Sequence, residues 1–189
     1  MGTVRSFEAI TVDGLPRPVR ALTAGRAHTC ALLDDGRAAC WGRNNAGQLG
    51  VGTGTQEDVR VTFTRDLPEG AALPAPQARI VTGRGVGAVF TQIDAGHEHT
   101  CGILVTGGAA CWGNNVDGRL GDGSTTTRFE AVPVARLAAG LTWISAGEYD
   151  TCAVQQDGSL WCWGAGLQAG EDGRREPSPL PVRIEAFGG

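Results

Sequence analysis

Three pairs of cysteines recur along this chain, and the two members of each pair stand ten residues apart. Every pair sits in the same pattern, which opens with Ala-Gly, has a glycine four residues before the second cysteine and ends in Cys-Trp-Gly. The pairs are Cys30/Cys40, Cys101/Cys111 and Cys152/Cys162. Six cysteines in phase with an internal repeat restrict the chain to a repetitive architecture.

The spacing within a pair fits a β-hairpin with a three-residue turn. In the first pattern the turn is Asp34-Asp35-Gly36, and its third residue needs the left-handed conformation that glycine adopts without penalty. Such a turn places Cys30 directly opposite Cys40, within disulfide reach. Gly107 and Gly158 hold the same position in the other two patterns. The spacing therefore predicts three cross-strand disulfides.

Two other states of the cysteines compete with this one, namely free buried thiols and zinc ligation. His28 and His99 each form a His-x-Cys pattern with a following cysteine, but the third pattern has Asp150 instead. Zinc sites usually hold two ligands two to four residues apart on a tight knuckle, and Cys-x-x-Cys does not occur in this sequence. We therefore predict no metal site, and free thiols remain the main alternative to disulfides.

Composition narrows the class of protein. The chain has 189 residues and a net charge of -4, whereas a nucleic-acid binder would carry a basic stripe. No apolar stretch approaches the length of a membrane span. The 30 glycines are about twice the usual ~7% share, and most fall at fixed repeat positions. Long amphipathic helical patterns do not occur, so we predict an all-β protein without membrane insertion.

The repeat divides the chain into three units. The first two units are separated by a Pro/Gly/Ala-rich segment with no core-facing pattern, which predicts a surface loop. The predicted divisions are 1–63 (repeat 1), 64–87 (insertion loop), 88–128 (repeat 2), 129–178 (repeat 3) and 179–189 (the start of a further strand, or a tail).

Each unit contains the material for four short strands. The first is an apolar segment at 7–12, matched by 129–134 and more weakly by 59–61, and the second runs into Ala-Gly. The cysteine hairpin supplies the last two. Four strands per unit of this length are typical of a propeller blade. Three in-phase tryptophans are then expected in the core or between blades: Trp41, Trp112 and Trp163.

The full pattern resembles a known family. Ala-Gly-x-x-His-Thr-Cys-x-Leu, then Asp-Gly, then Cys-Trp-Gly-x-Asn-x-x-Gly-Gln-Leu-Gly, best matched at 24–50, is similar to the regulator of chromosome condensation (RCC1-like) repeat in its bacterial, cysteine-paired form. The resemblance implies β-propeller blades of four antiparallel strands. The family's usual ring has seven blades, whereas this chain holds three repeats, so we expect a partial or open propeller. An open arc exposes edges that invite self-association.

The polar residues of the repeat do not predict catalysis. One position holds His28, His99 and Asp150, which suggests a side chain that ties down the Ala-Gly turn, while a catalytic histidine would more plausibly be singular. His97 does break the repeat, but it stands at a variable position. No Gly-x-Ser-x-Gly elbow occurs. We predict a protein that is not an enzyme and uses no cofactor.

The residues that vary within the repeat give the better functional clue. Propellers bring equivalent loops onto one rim, where binding residues usually sit. The two residues after each repeat glycine are therefore the predicted protein-binding rim: Arg26, Ala27, His97, Glu98, Glu148 and Tyr149.

These features together favour a secreted or surface protein-binding module. Disulfides belong to oxidising compartments, and residues 1–5 do not open a signal peptide, so we expect an extracellular or cell-surface piece of a longer secreted chain. One alternative is a structural repeat segment of a larger surface or adhesion protein. The other is a guanine-nucleotide exchange regulator of a small GTPase, which would keep its thiols reduced.

Overall fold

The computed structural model describes residues 11–54, 78–84, 87–169 and 175–184. Within these ranges the chain forms three four-stranded antiparallel sheets, and no helix there could cross a membrane. Sheet 1 consists of β1 (Val19–Ala24), β2 (His28–Leu33), β3 (Ala38–Gly42) and β4 (Arg79–Ile80); sheet 2 of β5 (Phe90–Ala95), β6 (His99–Leu104), β7 (Ala109–Gly113) and β8 (Arg128–Pro133); sheet 3 of β9 (Leu141–Ala146), β10 (Asp150–Gln155), β11 (Leu160–Ala169) and β12 (Arg175–Ile184).

The cysteine hairpins form as the sequence predicts. Gly36 has a φ of 82°, and the amide of Leu33 donates to the carbonyl of Arg37 across the turn at 2.8 Å. Cys30 then faces Cys40 in the ladder between β2 and β3. The same register recurs between β6 and β7 and between β10 and β11. All three predicted pairs are disulfide-bonded, namely Cys30–Cys40, Cys101–Cys111 and Cys152–Cys162.

The strands are grouped into sheets differently from the sequence prediction. Segment 129–134 was expected to open the third unit, but β8 pairs with β7 and completes sheet 2. Likewise, 179–182 was expected to start a further unit, but it lies in β12 and pairs with β11. Each sheet therefore begins with the strand that runs into Ala-Gly. The segment after the cysteine hairpin closes its own sheet, because its backbone pairs with the free edge of that hairpin.

The position of Cys162 within its sheet is corrected in the same way. The prediction that the cysteine hairpin supplies the last two strands of a unit would put Cys162 on an edge strand. Instead, β11 lies inside sheet 3, where Cys162 faces Cys152 on one side and Val182 of β12 on the other. The ladder to β12 becomes irregular directly after Cys162, between it and Gly164. The disulfide partner of Cys162 is therefore as predicted. The prediction that the hairpin supplies the last strand of the unit is wrong, because β12 pairs with the outer edge of β11.

The predicted insertion loop is also partly wrong. Its end provides β4, in which Arg79 faces Cys40 and Ile80 faces Ala39. Val81 follows and is buried, and its amide donates to the carbonyl of Ala38 at 2.9 Å. Residues 78–81 thus pair with the outer edge of the cysteine hairpin of sheet 1, as β8 does in sheet 2. Segments 7–10 and 59–61 and the rest of the insertion up to residue 77 lie outside the described residues.

Neighbouring sheets pack face to face, and we call each of these two interfaces a seam. The front face of a sheet is the side that meets the preceding sheet, and the back face is the side that meets the following one. In the first seam the back face of sheet 1 contributes Leu32 and Val81, while the front face of sheet 2 contributes Phe90, Ile93 and Trp112.

The second seam repeats this packing one unit further along the chain. Ile103 of sheet 2 and Leu137, which follows β8, share a buried cluster with Ile144 and Trp163 of sheet 3. Trp112 and Trp163 are both fully buried, which confirms the expected packing between blades for these two tryptophans. Trp41 is only partly buried, on the front face of sheet 1. The three sheets form an open arc, since the strands of the described ranges do not close into a ring.

The disulfides lead to a direct prediction. Denatured, unreduced protein should show no reactive thiol, and reductant should release all six. Replacing Cys101 and Cys111 together with alanine should lower the free energy of unfolding by about 2–3 kcal/mol, the loop-closure contribution of so short a bridge. Thiol titration and urea denaturation measure the two effects. Six thiols titrating without reductant would contradict the disulfide assignment.

Candidate functional site

A polar relay crosses the first seam beside its apolar core. His28 on sheet 1 reaches Thr100 on sheet 2, with 2.8 Å between Nε2 and Oγ1. The Thr100 hydroxyl donates to the carbonyl of Gln48 at 3.2 Å, and Trp112 Nε1 donates to the same carbonyl at 3.0 Å. Because the threonine proton is used on Gln48, the imidazole must donate, which fixes the tautomer with hydrogen on Nε2.

The second seam carries the same relay. His99 Nε2 lies 2.9 Å from Thr151 Oγ1, and the hydroxyl of Thr151 donates to the carbonyl of Arg119 at 2.9 Å. Trp163 Nε1 also donates to that carbonyl, at 2.9 Å. The histidine was predicted to tie down its own Ala-Gly turn, but the hydrogen bond of its side chain goes to the following sheet. Each histidine links its blade to the next one.

The repeat glycines let the backbones meet at the inner end of each seam. The amide of Arg26 donates to the carbonyl of His97 at 3.3 Å, and that of His97 donates to the carbonyl of Gly147 at 3.2 Å. A Cβ on Gly25 would approach the Gly96 carbonyl to well under 3.0 Å, and a Cβ on Gly96 would do the same to the Gly147 carbonyl. Only glycine fits at either position.

The two relay histidines are neutral at ordinary pH. Burial lowers the pKa of His28 to about 4, against a weaker raising effect from Glu98. Burial, assisted by the Arg119 charge, lowers the pKa of His99 to about 3. Among the described residues, the Nδ1 atoms of both rings have no hydrogen-bond partner. A proton on Nδ1 would place an unpaired charge between two sheets, which is costly.

This neutrality predicts acid destabilisation. Unfolded histidine has a pKa near 6.5, so from about pH 6.5 down to about 4 the unfolded chain binds more protons, and stability must fall as pH falls. His99→Gln should remove up to about 1.4 kcal/mol of that loss per pH unit. Urea denaturation between pH 7 and pH 4.5 measures the slope. Val105→Ala, which removes no titratable group at an exposed position, is the control that should keep the wild-type slope, and an unchanged slope in His99→Gln would count against the relay.

A buried asparagine shapes the loop that presents each relay carbonyl. Asn44 Oδ1 accepts from the amide of Leu49 at 3.1 Å, and Asn115 Oδ1 accepts from that of Leu120 at 2.9 Å. Both asparagines are fully buried. Asn44 and Asn115 therefore hold equivalent positions in the first two units, each two residues after the glycine of Cys-Trp-Gly.

The predicted rim residues do lie together along one edge of the arc. Each pair follows the Ala-Gly turn between the first two strands of its sheet, and these turns are stacked by the backbone hydrogen bonds across the seams. Arg26, Ala27, Glu148 and Tyr149 are exposed, and His97 and Glu98 are half-buried. Their role in binding stays a prediction.

Tyr149 lies at the sheet 3 end of this edge. Its ring centroid lies 5.9 Å from that of His97 and 5.0 Å from the guanidinium carbon of Arg119. A hydrogen bond to the Glu148 carboxylate raises the pKa of Tyr149 above its ordinary value. Contacts with an imidazole, a guanidinium and a carboxylate therefore hold an exposed aromatic ring in place.

Arg119 supports that ring from within the second seam. Its side chain is almost fully buried and pairs with Asp117, and one guanidinium nitrogen donates to the carbonyl of Glu148 at 3.3 Å. Within the described ranges its Nε has no partner. Arg119 does not stand out in the sequence, because it occupies the Gln48 position of the repeat, where a charged residue looks like ordinary surface.

Glu98 organises the rim beside the first seam. One carboxylate oxygen accepts from Asn114 at 3.1 Å, and the other lies 4.0 Å from a guanidinium nitrogen of Arg43. Arg43 follows the Cys-Trp-Gly of sheet 1, so this ion pair joins two sheets. Charges of both signs therefore lie along the rim.

Comparison with known proteins identifies the repeats. Two family models, each described as the Regulator of chromosome condensation (RCC1) repeat, match this chain, one at 19–48 and 90–119 and the other at 35–103. The chain belongs to the RCC1 repeat family.

The matches with individual relatives cover most of this chain but only a small part of each relative. The "Ultraviolet-B receptor UVR8" of Arabidopsis thaliana is 30% identical across 94% of this chain and 37% of its own length. The "Probable E3 ubiquitin-protein ligase HERC4" of Homo sapiens is 27% identical across 86% of this chain and 14% of its own. This chain therefore spans little more than a third of the first of these relatives.

A solved structure shares the fold. Prp20p from Saccharomyces cerevisiae, described with "Its Binding Properties to Gsp1p and Histones", superposes with a TM-score of 0.64 at 21% identity, over 89% of this chain and 39% of that one. At this identity the likeness shows the blade architecture alone.

Proposed function

We propose that this chain is a non-catalytic protein-binding module of RCC1-like blades, and that its partner contacts the rim of Arg26, Ala27, His97, Glu98, Glu148 and Tyr149. The observation that carries the proposal is the exposed Tyr149 ring in contact with both Arg119 and His97. Tyrosine and arginine are enriched in binding hot spots, and a pre-ordered ring loses little entropy on binding.

The electrostatics of the rim favour a protein over a nucleic acid. The chain has a net charge of -4, and two arginines beside the rim have acidic neighbours: Arg119 pairs with Asp117 and Arg43 lies near Glu98. Nucleic acid requires a basic surface with uncompensated charge. That Prp20p, of the same fold, is described with binding to Gsp1p and histones supports a protein ligand as the class.

The buried polar groups support a binding role without catalysis. The Nε2 atoms of His28 and His99 are hydrogen-bonded to threonine hydroxyls in the seam relay, and burial keeps both rings away from a substrate. The match with HERC4 leaves most of that ligase outside the shared region, so the ligase title does not describe the blades. We further propose an extracellular or cell-surface location, since three disulfides in so small a chain fit an oxidising compartment.

The rim is tested by affinity capture with matched variants. The double variant His97→Ala/Tyr149→Ala should weaken partner binding by about 30-fold, the loss expected for a hot spot of about 2 kcal/mol. Val105→Ala is the control, because Val105 is also exposed but lies at the opposite end of the sheet 2 hairpin. Quantitative mass spectrometry of the captured proteins, followed by titration of each purified candidate, gives the measurement. Partners retained equally by both variants would refute the rim assignment.

A further inference from the structure

The front face of sheet 1 exposes apolar side chains at positions that the repeat buries elsewhere. Val19 and Leu22 occupy the ladder positions of Phe90 and Ile93, which are buried in the first seam. Leu22 is 65% exposed and Val19 is also exposed. The segment with Val12 and Leu15 packs against another part of this face and leaves these two side chains uncovered.

The back face of sheet 3 is open in the complementary way. Trp143 holds the ladder position of Gln92, whose side chain bonds the backbone of Ile144 across the second seam. Leu160 holds the position of Ala109, which is buried in that seam. Trp143 is 61% exposed and Leu160 is exposed as well. One chain thus displays both halves of the seam that it uses twice internally.

Polar groups on the two open faces also match. Asp150 stands where His28 and His99 donate to the next sheet, and Thr29 stands where Thr100 and Thr151 receive that bond. A carboxylate at this position accepts, and a threonine hydroxyl can donate. An Asp150–Thr29 contact would therefore continue the relay with its direction reversed.

The rim charges agree with the same arrangement. The turn of Arg26 bonds that of His97, and the turn of His97 bonds that of Gly147. One further step of the same kind would bring Glu148 beside Arg26 of another copy. These residues carry opposite charges, which favours this pairing of ends.

We propose that the back face of sheet 3 binds the front face of sheet 1 of a second copy of this chain, head to tail, as a third seam of the same type. Such an interface is heterologous, because each copy contributes a different surface. It would use the surface between blades and take up only Glu148 and Arg26 of the rim, so that His97, Glu98 and Tyr149 of each copy stay open to the partner proposed above.

Charge-bearing variants of the two faces test the proposal on the complete 189-residue chain. Light scattering of the wild type over an about 100-fold dilution series should give masses that rise above the monomer mass of 19.6 kDa with concentration, as mass action requires. Trp143→Arg blocks only the back face and Leu22→Arg blocks only the front face. Each variant alone should stay monomeric.

An equimolar mixture of the two variants is the decisive measurement. The intact back face of Leu22→Arg can bind the intact front face of Trp143→Arg, so the mixture should form a heterodimer and nothing larger. Val105→Arg and Val116→Arg are controls of matched exposure, 61% and 65%. Val105 directly follows β6 and Val116 lies in the loop after β7, and both variants should associate like the wild type.

Three outcomes would overturn the proposal. A wild type that is monomeric at every concentration would mean that these faces are covered by something other than a second copy. A mixture that stays monomeric would exclude the head-to-tail arrangement. Loss of association in the sheet 2 controls would place the contact elsewhere. Circular dichroism of each variant distinguishes these results from misfolding.

Discussion

Trp112→Ala should lower the free energy of unfolding by about 3–5 kcal/mol, the usual cost of emptying a large buried aromatic site. The indole is fully buried in the first seam, its ring centroid lies 5.5 Å from that of Phe90, and Nε1 donates to the carbonyl of Gln48. Alanine removes the apolar contacts of two sheets at once. It also leaves the Gln48 carbonyl with only the Thr100 hydroxyl as a side-chain donor among the described residues.

The repeat supplies a matched control for this substitution. Trp41 holds the same position in sheet 1, but it is only partly buried because no sheet covers that front face among the described residues. Trp41→Ala should therefore cost clearly less than Trp112→Ala, while Trp163→Ala should cost about as much. Urea denaturation of the three variants gives the comparison. Equal losses at Trp41 and Trp112 would show that the tryptophans stabilise their own hairpins and not the seams.

The hairpins could be predicted because everything that sets them is local. Ten residues between cysteines, a three-residue turn and a glycine at its third position determine the register by themselves. The structure places Cys30 opposite Cys40, with the left-handed Gly36 in the turn. The resemblance of Cys-Trp-Gly and its following loop to the family repeat then predicted a four-stranded propeller blade.

The grouping of strands could not be obtained in this way. Segment 129–134 lies between the hairpin of sheet 2 and the first strand of sheet 3 in the chain, and its apolar pattern fits either neighbour. Pairing with β7 wins because the hairpin offers a free backbone edge, and an unpaired edge is costly when buried. For the same reason Cys162 lies on an inner strand, with β12 on its outer side. The hidden strand β4 is simply too short, at two residues, to give a periodic signal.

The relay could have been predicted from the sequence, although we predicted that its histidines only tie down their own Ala-Gly turns. Neighbouring residues on a strand point to opposite faces, so His28 and Thr29 must meet different neighbours. His-Thr in the first two blades, with a threonine at the same position in the third, then allows the histidine of one blade to pair with the threonine of the next. Arg119 was beyond such an inference, because long charged side chains are rarely buried and only the packing of the second seam encloses it.

Gly96→Ala should destabilise the chain by about 3 kcal/mol or more, at the upper end of the cost of overpacking. The new methyl group would overlap the backbone carbonyl of Gly147 and the imidazole of His99. Neither can move freely. The carbonyl accepts the amide of His97, and the imidazole is held by Thr151. The second seam would have to open at its inner end, where backbone bonding and the relay lie side by side.

Gly87→Ala is the matched control for this prediction. A Cβ there meets nothing within 4 Å, so the change should be neutral or stabilise by up to about 1 kcal/mol through a less flexible unfolded chain. Gly25→Ala, which meets the Gly96 carbonyl and His28 in the same way, should behave like Gly96→Ala. Thermal and urea unfolding of the three variants separate the cases. If Gly96→Ala unfolds like Gly87→Ala, the blades do not approach as closely as described, and the seam relay that depends on that approach is wrong.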